Sequence, residues 1–287
     1  MRLLTAALPI ALMLLPAYAL PQAGEWRMVG TGITSNLSGL AVEKAGTLLT
    51  VHDNKLPTEP RISRLLGGLM KPLTWPAGAE IPIDLEAITE IPGRDNEFIA
   101  LASAGKAFHI RVTGANVSLL GTFTLPGAKA FLANNYEGFR LQRLQGELVA
   151  VWTHRGGFGR DGLVFTAPFT LQGYQFGPGS VYKLRAPWPV SDRRDASDVV
   201  IYPDGTVTVS AASDPGDDGP FPSTLYTLGI LSKDSHGDWG LPASPTRFLT
   251  PTEVAGWRNT RKIEALVLTP TGLKAGTDDE NGGGWIR

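Results

Sequence analysis

The sequence predicts an all-β chain wound into a β-propeller of five blades, and three observations carry that reading. A short segment recurs five times, as Leu37-Ser38-Gly39-Leu40-Ala41, Leu85-Glu86-Ala87-Ile88, Tyr136-Glu137-Gly138-Phe139, Ala196-Ser197-Asp198-Val199-Val200 and Ile263-Glu264-Ala265-Leu266-Val267. Its oxygen-bearing residues Ser38, Glu86, Glu137, Ser197 and Glu264 stand 48, 51, 60 and 67 positions apart, a spacing that signals a repeat architecture. Each segment opens the same grammar: an apolar strand, a tight turn, and a second apolar strand ending in polar residues. Finally, 34 glycines and 22 prolines against 18% charged residues suit many strands joined by many turns.

The blades follow in chain order. Blade one runs Leu40-Ala41-Val42, turns at Lys44-Ala45-Gly46, continues through Leu48-Leu49-Thr50-Val51 and ends in His52-Asp53-Asn54. Blade two runs Ile88-Thr89-Glu90-Ile91, turns at Pro92-Gly93-Arg94-Asp95 and continues through Phe98-Ile99-Ala100-Leu101 to Ser103-Ala104-Gly105-Lys106. Blade three runs Phe139-Arg140-Leu141, turns near Gln145-Gly146 and continues through Leu148-Val149-Ala150-Val151-Trp152 to Thr153-His154-Arg155. Blade four runs Val199-Val200-Ile201-Tyr202, turns at Pro203-Asp204-Gly205 and continues through Val207-Thr208-Val209-Ser210 to a cluster around Asp214. Blade five runs Leu266-Val267-Leu268, turns at Pro270-Thr271-Gly272 and continues through Leu273-Lys274-Ala275-Gly276 to Asp278-Asp279-Glu280. Turns rich in Pro, Asp and Gly are hairpin signals, and near-continuous apolar runs suit strands buried on both faces.

Blade five runs out of chain after Trp285-Ile286-Arg287, leaving an open sheet edge. An unassigned strand at Trp26-Arg27-Met28-Val29-Gly30 is expected to pair there and close the ring. Six blades are the alternative, should the long blade three or four hide another repeat. The glycine- or proline-rich stretches 156–179 and 214–222 are expected to be long loops.

Residues 1–19 read as a secretory signal peptide: a basic start, an apolar run over 3–15 too short for an anchor, and Ala17-Tyr18-Ala19 as cleavage site. The mature chain, 20–287, is then one domain in the periplasm or outside medium, not membrane-bound, and expected to be monomeric. Losing only Arg2, it carries 25 basic and 27 acidic residues, which gives no field to attract nucleic acid. Without cysteine there is no disulfide, thiolate metal site or cysteine nucleophile.

In a hairpin the start of the first strand and the end of the second lie on one side. Ser38, Glu86, Glu137, Ser197 and Glu264 therefore open onto the face carrying the five polar clusters. The three glutamates converge on one axis, where bare negative charges repel, so a cation is expected among them. A shell of carboxylate, hydroxyl, carbonyl and water oxygens suits Ca2+ better than Mg2+, and the lack of Cys or His among the five disfavours zinc. The alternative is that the five only bond backbone amides around the axis. The rim of the cup is expected to carry His52, Asp53, Lys106, His154, Arg155, Asp214, Asp278 and Asp279.

The order Ser, Glu, Glu, Ser, Glu resembles the calcium-activated nucleotidases, the soluble apyrases. The likeness extends to Ala196-Ser197-Asp198-Val199, Lys262-Ile263-Glu264-Ala265, and Ser38-Gly39-Leu40 followed by Val51-His52-Asp53-Asn54. It implies a five-bladed propeller with one axial calcium held by those side chains, and nucleotide hydrolysis. Asp84-Leu85-Glu86-Ala87-Ile88 also resembles the secreted propellers described as esterase-like or phytase-like. The sequence departs from the nucleotidases at His52, where they carry the first acid of a pair, and at Ala107, where they carry an acid. Their consecutive-arginine phosphate clamp in blade three is missing, and Arg155 and Arg160 are approximate substitutes.

Two functions follow. In a calcium-dependent phosphohydrolase acting on a small phosphorylated substrate, the candidate catalytic residues are Asp53, His52, Lys106, His154 and Arg155. Lys106, Arg155 or Arg160 would hold the phosphate, and Asp53 or His52 would position or deprotonate water. In a binding or scaffolding propeller the calcium would be structural and the ligand a different one. On that second reading Asp53-Asn54 is a turn, Asp278-Asp279-Glu280 a solvated acidic loop or second calcium site, and His154 and Arg155 order the loop that follows.

Overall fold

A computed structural model describes residues 25–127, 135–157, 159–241 and 261–287. The expected signal peptide, residues 1–19, lies outside them. The described chain forms five antiparallel blades around a closed ring, with a sixth, two-stranded sheet of Ser232–Lys233 and Trp239–Gly240 apart from them, so blades number five and not six. The inner strands are Gly39–Val42, Leu85–Glu90, Tyr136–Leu144, Arg193–Ile201 and Ile263–Thr269. Each lies beside the inner strands of the blades on either side, the first next to the last.

Blades one and two are four-stranded meanders, the first completed by Leu48–Val51, Ile62–Leu66 and Leu69–Pro72 and the second by Glu97–Ala102, Lys106–Thr113 and Asn116–Thr124. Blade three continues through Glu147–His154 and Gly162–Thr170, and its outer edge is made of two pieces, Gln175–Phe176 and Ser180–Leu184. Much of the stretch 156–179 is therefore strand, not loop, which corrects the sequence reading. Val164, Phe165 and Phe169 have apolar neighbours to bury against, and that burial outweighs the local glycine content. Among the described residues blade four has three strands, with Thr206–Ser213 and Ser223–Ile230 outside the inner one. The stretch 214–222 between them is a loop, as expected.

Blade five pairs Ile263–Thr269 with Gly272–Thr277, then with Trp285–Ile286, then with the N-terminal strand Arg27–Met28. Arg27 lies opposite Ile286 and Met28 opposite Trp285, so strand pairing joins the two ends of the described chain and gives blade five its fourth, outermost strand.

Five apolar clusters sit one between each pair of neighbouring blades. The second strand of blade two shows why the apolar runs are continuous. Phe98, Ala100 and Ala102 face blade one, while Ile99 and Leu101 face blade three. Period-2 alternation is present, but both faces are core.

The inner strands are also tied across the axis. Arg140, from blade three, donates to the carbonyls of Leu40 (2.8 Å), Ile88 (2.8 Å) and Val199 (2.8 Å), and to that of Leu266. It also pairs with Asp198 at 3.1 Å. One guanidinium thus reaches the inner strands of all four other blades. Asp198 in turn accepts the amides of Val199 (2.7 Å) and Leu266 (2.6 Å).

Candidate functional site

The five recurring oxygens stand at places where the ladder breaks. Between Leu85 and Ala87 the register shifts around Glu86, and between Ile263 and Ala265 around Glu264. Glu137 with Gly138 lies in the shift between Tyr136 and Phe139, and Ser197 in that between Arg194 and Asp198. Ser38 precedes the first paired residue of blade one, its amide bonded to Val51. A bulge re-aims a side chain out of the alternating pattern, which is what directs these residues to the axis instead of into a blade face. Two residues upstream of Glu86 and Glu137, Asp84 (φ 62) and Asn135 (φ 141) hold positive φ, a second departure from regular strand at the same level. Gly138 is required there, since a Cβ would approach Thr153 Oγ1 to 2.7 Å and Val199 to 2.9 Å.

All five residues are buried. The Ser38 and Ser197 hydroxyls find no hydrogen-bond partner in the protein, and Glu137 Oε1 has the Arg155 guanidinium alone, at 3.2 Å. Buried oxygens are rarely left so, and two hydroxyls at equivalent positions of one ring point to a missing partner. Burial, and then the charges of Glu137, Asp84, Asp53 and Glu264, hold the Glu86 carboxyl well above the usual range. Burial also holds Glu264 well above it, against the opposing pull of Lys262 and Arg194. Asp53 is pushed up to about 7 by burial and by Asp278.

Around the axis eight carboxylates (Asp53, Asp84, Glu86, Glu137, Asp214, Glu264, Asp278, Glu280) face five cations (Lys55, Arg61, Arg155, Arg194, Lys262), an excess of three negative charges. Such an excess is relieved either by protons or by an added cation. The chain supplies part of the relief. Arg155 Nη1 lies 3.2 Å from Glu137 Oε1, and Arg194 lies 3.3 Å from Glu264 and also pairs with Asp214. Lys262, 1% exposed, reaches Asp278 (3.3 Å), Asp214 (3.6 Å), Glu264 (3.7 Å) and Glu280. With these cations in place, among the described residues no three acidic or histidine side chains converge tightly enough to ligate one ion as they stand. The donors themselves fit calcium: they are all hard oxygens, and the two hydroxyls are unsatisfied.

The outer candidates divide. Asp53 faces the carboxylate network, since its charge acts on Glu86. His52 does not reach the cup. Its ring is buried, Nδ1 bonds the Asn36 carbonyl (2.7 Å), Nε2 bonds Ser63 Oγ (2.8 Å), and burial lowers it to about 4, so it is a neutral structural group. Lys106 pairs with Glu80 at 2.5 Å and lies over the Phe108 ring, so its charge is spent outside the axial network. His154 is buried edge-on to Tyr136 and accepts the Gly156 amide through Nδ1 (3.2 Å), which orders the loop that follows. Arg155 reaches the axis. Asp279 pairs with Arg261 (2.5 Å) and accepts the Lys262 amide.

Sequence reasoning missed Arg140, Arg194 and Lys262. A basic residue inside an apolar inner strand, as in Phe139-Arg140-Leu141, was the available signal for the first. Also missed was a cleft of about 500 Å³ beside the axis, lined by Arg155, Arg160, Arg185, Arg193 and Arg194. Only two acids, Asp192 and Asp214, line it with them.

No protein-family model matches the chain, and the search of curated proteins returned no match. Among solved structures, the β-propeller domain of Myceliophteria thermophila Cps50 (Swd1) aligns at TM-score 0.41 and 11% identity, over 88% of this chain and 72% of that one. An α-L-arabinofuranosidase from Lactobacillus brevis aligns at TM-score 0.49 and 10% identity, over 91% and 92%. The blade assignment rests on the strand pairing described above.

Proposed function

We propose that the cup end of the ring holds a calcium ion among Ser38, Glu86, Glu137, Ser197 and Glu264, and that the protein is an exported, calcium-dependent hydrolase of small phosphate esters or anhydrides. The observation that supports this most is the pair of unsatisfied hydroxyls, Ser38 and Ser197, at positions of the ring equivalent to those of three buried glutamates. The arginine-lined cleft next to them supplies the charge a phosphate needs.

When bound, the ion would supply charge that offsets the phosphoryl oxygens in the transition state. The chain's own groups supply the rest. Arg155 and Arg160 hold and orient phosphate oxygens, for which guanidinium is suited by its paired donors. Asp53 positions water and takes its proton, a carboxyl pushed up to about 7 being matched to that work near neutral pH. His52, with both ring nitrogens engaged, holds the rim instead.

One observation favours a second reading. Arg155, Arg194 and Lys262 already neutralise Glu137 and Glu264. Were they sufficient, the ring would need no metal and the propeller would serve as a binding scaffold. Phosphate release decides between the two. Nucleoside di- and triphosphates, phytate and an aryl phosphate are incubated with the protein in excess calcium and in excess chelator, with Glu137→Gln as control. Calcium-dependent release that is lost in the variant supports the hydrolase; no release from any substrate sinks it.

A further inference from the structure

Arg155 and Arg194 belong to two sites at once. Each is paired with an axial glutamate, Arg155 with Glu137 at 3.2 Å and Arg194 with Glu264 at 3.3 Å, and each also lines the cleft. Their side chains are 23% and 20% exposed, so both border open space while pointing at a buried acid. The other cleft arginines are differently placed. Arg193 is held by Asp195 at 2.7 Å. Arg185 has only a loose, exposed pairing with Asp161 at 3.6 Å, and Arg160 has no ion pair among the described residues. Five arginines against Asp192 and Asp214 give the lining an excess of three positive charges, in a protein whose net charge is −1. The loop that forms one wall turns through Gly156 (φ 73), Gly157 (φ 102) and Gly159 (φ 79). A Cβ on Gly156 would come within 2.6 Å of the Gly162 amide nitrogen, so the wall can pack this closely only with glycine there.

We infer that this cleft is a binding site for a tetrahedral oxyanion, and that a cation on the axis opens it by drawing Glu137 and Glu264 away from Arg155 and Arg194. The inference rests on the axial calcium proposed above. Without the ion, the two arginines line the cleft but serve as the counter-charges of the axial acids. With it, the acids have a new partner, so Arg155 is available to the anion and Arg194 keeps one carboxylate, Asp214, in place of two. Asp214 remains on Arg194, and Lys262 remains on Asp214, Asp278 and Glu280, so those pairings hold the floor while Arg155 turns. Cation and anion then bind with positive coupling, and the coupling is reciprocal.

The probe is sulfate, which is tetrahedral and not hydrolysed, titrated calorimetrically at low ionic strength in millimolar calcium and in chelator. Sulfate is expected to bind about ten-fold more tightly with calcium, within the ~5–150-fold range of such couplings. Arg160→Ala and Arg185→Ala should weaken sulfate binding while leaving calcium binding in sulfate-free buffer unchanged. Glu137→Gln releases Arg155 without metal, so it should bind sulfate in chelator more tightly than wild type and respond less to calcium. Sulfate affinity that is the same in calcium and in chelator, with calcium binding shown by its own titration heat, overturns the coupling and leaves the axial ion standing. Indifference of sulfate binding to both arginine variants overturns the site. Absence of any calcium heat overturns the axial ion itself, and with it the coupling, while the arginine variants in chelator still decide whether the cleft takes the anion.

Discussion

Replacing Arg140 with methionine removes the one side chain that reaches the inner strands of all four other blades. The guanidinium is 5% exposed, and Asp198 opposite it is fully buried. Stranding one member of a buried ion pair costs about 3–5 kcal/mol. The carbonyls of Leu40, Ile88, Val199 and Leu266 each lose a donor. A carbonyl keeps a second lone pair, so that loss lies at the low end of hydrogen-bond values, about 0.5 kcal/mol each. Protonation limits the total. Asp198 is already pushed up to about 6 by burial, even with Arg140 beside it, and without the arginine it takes up a proton. A loss of about 4–6 kcal/mol at pH 7 is expected, a large part of the ~5–15 kcal/mol that holds a typical domain folded. Urea unfolding followed by tryptophan fluorescence measures it. Adding Asp198→Asn to Arg140→Met should recover at least ~1 kcal/mol, because asparagine is neutral without the proton uptake that Asp198 needs at pH 7. A single variant that loses less than ~1.5 kcal/mol, or a double variant no more stable than the single, would refute the axial clasp.

Other expectations concern the rim, the blade contacts and the chemistry. His52 titrates at about 4 in the fold against 6.5 unfolded, so the unfolded chain takes up the proton first. Its contribution is complete above pH 6.5 and is lost as pH falls toward 4, up to about 3 kcal/mol; stability lost between pH 7 and 4.5 should shrink by about 2 kcal/mol in His52→Gln, and equal losses in the two proteins would contradict this. On Gly121 a Cβ would meet the Tyr174 hydroxyl at 2.2 Å, where that ring stacks on Phe123 and bonds His109. Gly121→Ala should therefore lower stability by about 1–3 kcal/mol in the same urea assay, and an unchanged midpoint would remove this contact between blades two and three. Asp53→Asn should cut kcat for the best phosphate substrate by ~100-fold or more with calcium affinity within about three-fold of wild type, and unchanged kcat would take Asp53 out of the chemistry.

The ring was legible because each blade repeats a signal of short range. Hairpin turns such as Pro203-Asp204-Gly205 are written in adjacent residues, and the oxygen before each inner strand marks the same bulge in blades two to five. Closure by the N-terminal strand followed from counting edges, and Arg27 does pair with Ile286. The electrostatics of the cup were much less legible. Arg194 sits 70 residues from Glu264, and Lys262 reaches Asp214 from a distant stretch of the chain, so no local pattern predicts those pairings. His52 misleads for a similar reason. Beside Asp53 it reads as a rim residue, yet Ser63 and the Asn36 carbonyl, brought up from neighbouring segments, enclose its ring. The strand Gly162–Thr170 was hidden by flanking glycines whose positive φ belongs to turns outside it.

The axial cation is tested most directly by calcium titration of chelator-treated protein, read by calorimetry and by thermal melting. One ion per chain is expected, raising stability by about 2.7 kcal/mol at a hundred-fold excess over Kd, with both effects abolished or strongly weakened in Glu86→Gln and Glu137→Gln. No heat and no rise in melting temperature, or an ion that binds both variants as it binds wild type, would place the charge balance of the ring with Arg155, Arg194 and Lys262 alone.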